Sequence, residues 1–512
     1  MRGRRGGPGH IPRDRARWVQ VEPPELINLL AKTKTWSGMS ASFGDHPALA
    51  KEKDRSGMST RPKRMMRLAA FLNAGPQGTA GWRHPDASPA MLTAAHYKHI
   101  ARVLEDACFD MAFIPDALSV PRSLGGSFAP AVKWGVGTPR LDPMPVVAMM
   151  ADATTHLGVA ATVSTGYQEP YNLARSFATL DHLTGGRAGW NVVTSFQDAE
   201  AQNFGQEKLP ERSLRYERAE EFLEATTRLW DSWADDAIIA DKESGVFGRP
   251  EQVEAVDFKG RHVSVQGPLS VPRPPQGYPL IIQAGASPVG RDFAARWADL
   301  IFCSHESLES AIAFYADLKG RAAAHGRDPD QIKILPAATT VIGKDFRDAM
   351  AKHEAFTELV SHEAGLSRLA YHVNVDLTQY DLDGPLPPLE VVGVDGHYRE
   401  VVEFAEREKL SVREIGKWYG ARTEGNMIGS ASDIADNMER WMELGAADGF
   451  MIQATHVPAA FEDFAREVVP ELQRRGVFRT AYEGTTLREN LGIDRPQRGE
   501  WRTRIRKAAA RA

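Results

Sequence analysis

The sequence predicts an α/β fold, a (β/α)8 barrel of the TIM type with insertions. Short apolar runs alternate with helical patterns between residues 64 and 495. The runs are apolar throughout, as expected of parallel strands that are buried on both faces. Eight such units favour closure into a barrel over an open doubly wound sheet.

The eight predicted strands are spread over the whole of this region. The first reads RLAAFLN and the last reads DGFMIQ. A helical pattern follows each strand, and the longest one is predicted at 212–234. The predicted strands are 67–73, 109–116, 157–165, 187–195, 279–285, 299–304, 332–343 and 448–453.

Four segments fall outside the regular alternation. Residues 1–63 begin with a Gly- and Arg-rich stretch without periodicity, so a disordered basic extension is predicted there. Residues 496–512 are basic and predicted to fray. Insertions are predicted at 236–277 and 373–396 within the barrel domain 64–495. The first contains FKGRHVSV, which predicts a hairpin, and we expect this insertion to cover the active site as a lid.

Composition narrows the class of protein. The 62 basic and 67 acidic residues give a net charge of −5, which indicates no nucleic-acid or membrane partner. Two cysteines cannot build a disulfide scaffold, which fits a reducing compartment. No apolar stretch is long enough to cross a bilayer. A cytoplasmic protein is therefore predicted.

Polar residues stand at the ends of several predicted strands. Active sites of such barrels lie at the carboxyl ends of the strands, so we expect these side chains to meet at one mouth. They are Asp116 at the end of the second strand, Thr162 and Ser164 at the end of the third, Asn191 and Thr194 at the end of the fourth, and Ser287 after the fifth.

Ser287 is the most interpretable of these residues. Gly285 permits a tight turn, Ser287 can cap the next helix, and Pro288 suits its first position. The free N–H groups of a helix start bind phosphate well. A plain N-cap without a ligand is the alternative, and the spacing leaves both open.

Arg212 and Tyr216 stand four residues apart on one helix face. Both side chains suit a phosphate, although spacing alone favours a surface salt bridge for this charged segment. Asp116 could accept hydrogen bonds from a ligand or cap the following helix, and both interpretations remain open.

No metal is predicted. His96 and His99 lie three apart on a helix that belongs on the outside of the barrel. The sequence has no H-x-H, H-E-x-x-H or Cys-x-x-Cys pattern and no G-x-S-x-G elbow. His84, in WRHP after the first strand, either faces the substrate or caps a turn.

Several of these motifs, taken in order, carry a resemblance. The chain resembles the luciferase-like flavin monooxygenases, in the branch of nitrilotriacetate monooxygenase component A and dibenzothiophene-sulfone monooxygenase. The matching stretches include FIPDAL (113–118), ATVSTGYQEPYNLARSFATLDHLTGGRAGWNVVTS (161–195), RYERAEEF (215–222), GPLSVPRPPQGYPLIIQAGAS (267–287) and IGSASDIADNMERWMELGAADGF (428–450).

The resemblance implies a barrel that uses reduced FMN and O2 on a small organic or xenobiotic substrate, with cleavage of a C–N or C–S bond. It also implies a separate NAD(P)H:flavin oxidoreductase and a homo-oligomer, dimer or tetramer. The family's flavin contacts carry over to Asp116, Thr162, Tyr216 and Ser287. One departure is Arg212, which stands where the family often has His, and arginine still suits a phosphate.

Three further functions stay open at this point. A barrel hydrolase would need metal ligands at the strand ends. A flavin-binding barrel protein without oxygenase activity would share the fold and the cofactor. A deazaflavin-dependent reductase would share the fold alone.

Overall fold

The computed structural model describes residues 64–285, 287–305, 307–386 and 395–509. These residues belong to one unit, Pro62–Ala512. The predicted disorder of 1–63 lies outside the described residues, and so does part of the predicted 373–396 insertion.

Eleven strands are formed by the described residues. Eight of them are the predicted ones, so every predicted strand is confirmed. The strands are β1 Arg67–Phe71, β2 Met111–Ile114, β3 Gly158–Ser164, β4 Ala188–Val193, β5 Phe258–Lys259, β6 Ser264–Val265, β7 Leu280–Gln283, β8 Leu300–Cys303, β9 Lys333–Ile342, β10 Met427–Gly429 and β11 Gly449–Gln453.

The barrel closes. Parallel pairing runs β1-β2-β3-β4-β7-β8-β9-β11, and β11 pairs in parallel with β1. The predicted (β/α)8 barrel is therefore confirmed. The sequence did not predict β10, which pairs only with the last residues of β9, Thr340–Ile342.

Helices surround the barrel. They are α1 Ala94–Asp106, α2 Ala129–Trp134, α3 Pro143–Asp152, α4 Pro170–Leu183, α5 Asp198–Asn203, α6 Arg212–Trp230, α7 Pro288–Trp297, α8 Leu308–Ala324, α9 Phe346–Glu358, α10 His362–Val373, α11 Asp395–Glu408, α12 Val412–Ala421, α13 Ala431–Glu443, α14 Ala459–Asp463, α15 Val469–Arg474, α16 Leu487–Leu491 and α17 Trp501–Ala509, with a π-helical turn Phe464–Val468 between α14 and α15. Within the described part of the chain, no helix is both long and apolar enough to cross a membrane.

The barrel interior is filled by alternate side chains of the strands. Met111 and Phe113 of β2 and Leu280 and Ile282 of β7 are buried in the same apolar cluster. This is the period-two pattern of a strand that turns one face inward. Leu487 of α16 joins the same cluster.

The first insertion lies against an outer helix. Its predicted hairpin is confirmed, because β5 and β6 pair antiparallel. Glu221 of α6 accepts backbone hydrogen bonds from Arg261, His262 and Val263, at 2.9, 2.7 and 3.2 Å. The hairpin is therefore fixed along α6, and the lid role of this insertion stays a prediction.

The basic tail is ordered as far as it is described. Helix α17 packs on the barrel, and Arg504, 5% exposed, donates to the carbonyl of Trp297 at 2.9 Å. The Gly499 N–H donates to Asp231 at 2.6 Å. The prediction of a frayed tail is wrong there, because carboxylates and carbonyls of the barrel pair with its basic groups.

Candidate active site

The carboxyl ends of neighbouring strands form one continuous edge. Parallel register aligns Ile114 of β2, Ala161 of β3, Trp190 of β4 and Ile281 of β7 in one row. The predicted site residues on β2 to β4 and after β7 follow this row. They therefore lie at one end of the barrel, as the sequence predicted.

Thr162 and Asn191 form a buried polar pair at this edge. The Thr162 hydroxyl donates to the carbonyl of Ile114 at 2.9 Å and accepts from Asn191 Nδ2 at 2.9 Å. Asn191 Oδ1 is buried and has no hydrogen-bond partner within the described part of the structure. A buried acceptor without a partner costs stability, and a ligand N–H or O–H would satisfy it.

Ser287 and Tyr216 meet beyond the end of β7. Ser287 caps α7 by accepting from the Gly290 N–H at 3.1 Å, which confirms the predicted N-cap. Burial raises the pKa of the Tyr216 hydroxyl, and the neighbouring side chains of Ser287 and Gln283 oppose this rise. A Cβ on Gly290 would come within 2.8 Å of the Tyr216 hydroxyl, so glycine lets the tyrosine approach the helix start.

Two arginines of α6 lie beside this group. Arg212 stands one turn before Tyr216 and is half-buried. Arg215 donates to the carbonyl of Ser195 and, at 3.3 Å, to that of Thr194, just after β4. Burial lowers the pKa of Arg215, and the positive charge of Arg212 lowers it further. The sequence argument missed Arg215, which directly precedes Tyr216.

Asp116 is half-buried just beyond β2. Its Oδ1 accepts from the Ala117 N–H at 2.8 Å. No α-helix begins there in the described structure, since the next one is α2. Burial raises the pKa of Asp116 to about 6, against the opposing charge of Arg140. The helix-cap interpretation therefore does not apply, and the carboxyl changes charge slightly below neutral pH.

Helix α10 reaches the same edge. The Tyr371 carbonyl accepts a hydrogen bond from Gln197, and the Tyr371 ring lies 5.3 Å from that of Phe196. Burial raises the pKa of Tyr371, and the charges of Glu200, Arg140 and Asp116 also act on it. The end of β4 is thus covered from this part of the chain.

A histidine pair lies between the first and last barrel strands. The rings of His84 and His456 stack at 3.5 Å and 16°. Each Nδ1 is engaged, His84 by the Asp86 N–H at 3.1 Å and His456 by the Thr455 hydroxyl at 2.9 Å. Burial lowers the pKa of His456 to about 4. His84 therefore supports a turn, which was one of its two predicted roles.

His84, Asp86 and His456 are also the group that could hold a metal ion in the described structure. Their ligand atoms lie within 4.8 Å of one another. A metal at either Nδ1 would have to break an existing hydrogen bond. His99 instead makes an ion pair with Glu462 at 2.6 Å, and His96 is buried.

The comparison with protein families decides the class of protein. The family described as luciferase-like monooxygenase matches residues 76–448. The chain belongs to this family. The predicted family and the predicted flavin-dependent monooxygenase class are both confirmed.

Two curated relatives match this chain over nearly the whole of their own length. Dibenzothiophene-sulfone monooxygenase of Rhodococcus erythropolis (strain XP) is 45% identical over 444 residues, 85% of this chain and 98% of that protein. Nitrilotriacetate monooxygenase component A of Aminobacter aminovorans is 41% identical over 430 residues, 81% of this chain and 94% of that protein.

A solved structure extends the comparison to the fold. Riboflavin lyase with modified FMN and its substrate riboflavin has a TM-score of 0.77 and 30% identity to this chain. The match covers 84% of this chain and 97% of that one. The barrel fold is thus shared with a protein that was crystallised with modified FMN.

Proposed function

We propose that this monooxygenase uses reduced FMN and O2 to oxidise a small organic compound and to cleave a C–S or C–N bond. One observation carries the proposal. Ser287 and Tyr216, with Arg212 and Arg215 beside them, lie at the same barrel end as the buried Thr162–Asn191 pair, and their donors and charges suit a phosphate.

The residues present fit FMN. Ser287, the Tyr216 hydroxyl and the start of α7 supply hydrogen-bond donors, and the α6 arginines supply positive charge for a phosphate. The unpartnered Asn191 Oδ1 and the Asp116 carboxyl accept hydrogen bonds from the ring or ribityl chain. Modified FMN in the related riboflavin lyase supports this cofactor.

The side chains at this end of the barrel are suited to bind FMN, to orient it and to shield it from water. When bound, reduced FMN supplies the electrons that activate O2 for transfer of one oxygen atom to the substrate. Tyr216 and Ser287 hold the phosphate, and Thr162 fixes Asn191 through a hydrogen bond of 2.9 Å. Tyr371 and Phe196 cover the end of β4 and exclude water from that side.

The relatives support the substrate chemistry and the partner. One relative is named for a sulfone and the other for nitrilotriacetate, which contain C–S and C–N bonds respectively. The name "component A" supports a second component, an NAD(P)H:flavin oxidoreductase that delivers reduced FMN. A cytoplasmic location remains a prediction.

We also propose that the chain forms a homo-oligomer, a dimer or tetramer. The first insertion exposes large apolar side chains on one short segment, an arrangement typical of protein contact surfaces. Their exposed fractions are 39% for Ile238, 39% for Ile239, 46% for Val246 and 67% for Phe247.

A coupled reaction tests the activity. The purified chain is supplied with FMN, NADH, a flavin reductase and O2, and mass spectrometry is used to detect sulfite, glyoxylate or hydroxylated products from a substrate panel. We expect product formation that depends on the chain. Oxygen converted only to hydrogen peroxide with every substrate would indicate a flavin-binding barrel without oxygenase activity.

Two binding measurements distinguish a monooxygenase from a deazaflavin-dependent reductase and from a barrel hydrolase. Fluorescence titration with reduced FMN and with deazaflavin should show the tighter binding for FMN, and the reverse order would favour the reductase. Stoichiometric zinc in the purified protein would favour the hydrolase.

A further inference from the structure

Two arginines lie near the Asp116 end of the barrel. Arg140 precedes α3, and Arg368 lies on α10. Both side chains are half-buried. Neither guanidinium makes a hydrogen bond or an ion pair with any described residue. A partly buried charge that makes no ion pair costs free energy, which indicates that a charged ligand pairs with it.

The backbone positions of both arginines lie close to the carboxyl ends of the barrel strands. The Leu141 N–H donates to the Ala74 carbonyl at 2.8 Å, which fixes Arg140 beside the loop that follows β1. Arg368 stands three residues before Tyr371, on the same face of α10. Tyr371 in turn contacts Phe196 beyond β4. Both arginines therefore lie near Tyr371 at this end of the barrel.

The positive charges of Arg140 and Arg368 act on each other, and they also act on groups of the site. Burial lowers the pKa of Arg368; Tyr419 and Glu424 oppose this fall, and the like charges of Arg422 and Arg140 add to it. Arg140 also opposes the rise in the pKa of Asp116. Both arginines stabilise the ionised form of Tyr371. An anion between the two guanidinium groups would relieve their repulsion.

The nearby carboxyl groups of Glu424 and Glu200 accept hydrogen bonds from other groups. Burial raises the pKa of Glu424 to about 7, and Glu424 accepts from the Thr423 hydroxyl at 2.8 Å. Glu200 is held by backbone N–H groups of Leu118, Phe196 and Gln197, at 3.1, 3.2 and 3.2 Å. Neither of these carboxyl groups makes a hydrogen bond or an ion pair with Arg140 or Arg368.

We propose that the substrate is an organic anion whose carboxylate or sulfonate group is bound between Arg140 and Arg368. Guanidinium groups pair with either group through two parallel hydrogen bonds. The neutral part of the substrate then extends toward Asp116 and the flavin. This assignment rests on the proposed function, because it presumes that the substrate occupies the same barrel mouth.

Calorimetry with three probes tests the proposal on the full chain loaded with oxidised FMN. The probes are nitrilotriacetate, which carries carboxylates, benzenesulfonate, which carries a sulfonate, and dibenzothiophene sulfone, which is neutral. We expect at least one anion to bind and its affinity to fall with added salt. Binding of the neutral sulfone alone, or of no anion, would overturn the proposal.

Variants locate the anion. Arg368→Gln and Arg140→Gln should each weaken anion binding about tenfold to a hundredfold and leave FMN affinity unchanged. Arg368→Lys should retain part of the affinity. The matched control is Arg102→Gln, an exposed arginine on α1, which should change nothing.

The outcomes separate this proposal from the function itself. Loss of FMN affinity in both glutamine variants would assign the arginines to the cofactor and contradict an anionic substrate. Intact anion binding in both variants would also contradict it. Failure of the whole function would instead appear as a chain without affinity for FMN.

Discussion

The two ends of the barrel differ in how their charges are paired. At the amino ends of the strands, Asp110, Asp299 and Asp448 directly precede β2, β8 and β11, and each carboxylate is paired. At the carboxyl ends, Asn191 Oδ1 and the guanidinium groups of Arg140 and Arg368 have no partner among the described residues. The aspartates at one end are paired within the chain, and the polar groups at the other end are suited to a ligand.

The paired end follows one repeated design. Asp299 accepts from the Ile281 N–H at 3.0 Å and from Arg488 at 2.6 Å. Asp448 accepts from the Ile334 N–H at 2.9 Å and forms an ion pair with Lys319 at 3.1 Å. Each aspartate thereby ties the start of its own strand to the backbone of a neighbour. This end serves stability, as expected for the amino-terminal face of such barrels.

The largest effect is expected from removing a paired aspartate at the amino ends of the strands. Asp299→Ala removes the carboxylate that Arg488 and Arg327 share in the interior. The uncompensated arginines should lower the free energy of unfolding by about 3–5 kcal/mol, measured by urea denaturation. Arg368→Gln, at the other end, should not destabilise the protein. Equal losses in both variants would contradict the division between the two ends.

The second largest effect is expected on FMN binding, at the residues that should hold its phosphate. Ser287→Glu places a negative charge where the phosphate of FMN should lie and should weaken FMN binding about a hundredfold, measured by fluorescence titration. Ser430→Glu removes the same kind of N-cap from α13 and serves as the control. If both variants bind FMN like the unaltered chain, Ser287 does not belong to the cofactor site.

The sequence predicted the barrel because its eight strands are continuous apolar runs. It missed β10, because three residues are too few to show a pattern. It did not predict that Glu221 holds the hairpin of β5 and β6, because no local pattern reveals this contact. Strand-end polarity predicted the location of Asp116, Thr162 and Ser287. The nearness of Arg140 to Arg368, and of His84 to His456, depends on tertiary folding alone.

Asp116 should make flavin binding depend on pH. Its raised pKa of about 6 means that the carboxylate, the form that accepts hydrogen bonds, is lost as the pH falls through 6. Affinity for riboflavin, which has no phosphate, should therefore rise severalfold between pH 5 and pH 7. Asp116→Asn should abolish this dependence, and a variant that keeps it would assign the titration to another group.

The smallest effect is expected at the histidine pair. Burial depresses the pKa of His456 to about 4, so the unfolded chain protonates this histidine at a higher pH than the folded chain does. Stability is therefore lost as the pH falls from 6.5 toward 4. His456→Phe keeps an aromatic ring for His84 to stack on and should shift acid unfolding to lower pH by about half a unit. An unchanged or higher midpoint would show that this pair does not limit acid stability.

A crystal structure of the full chain with oxidised FMN tests the central claim most directly. We expect one FMN at the carboxyl ends of the strands, with its phosphate in hydrogen-bond contact with Ser287 and Tyr216 and its ring side toward Asn191 and Asp116. FMN bound at the amino ends, or on the outer helices with Ser287 and Asn191 untouched, would contradict it.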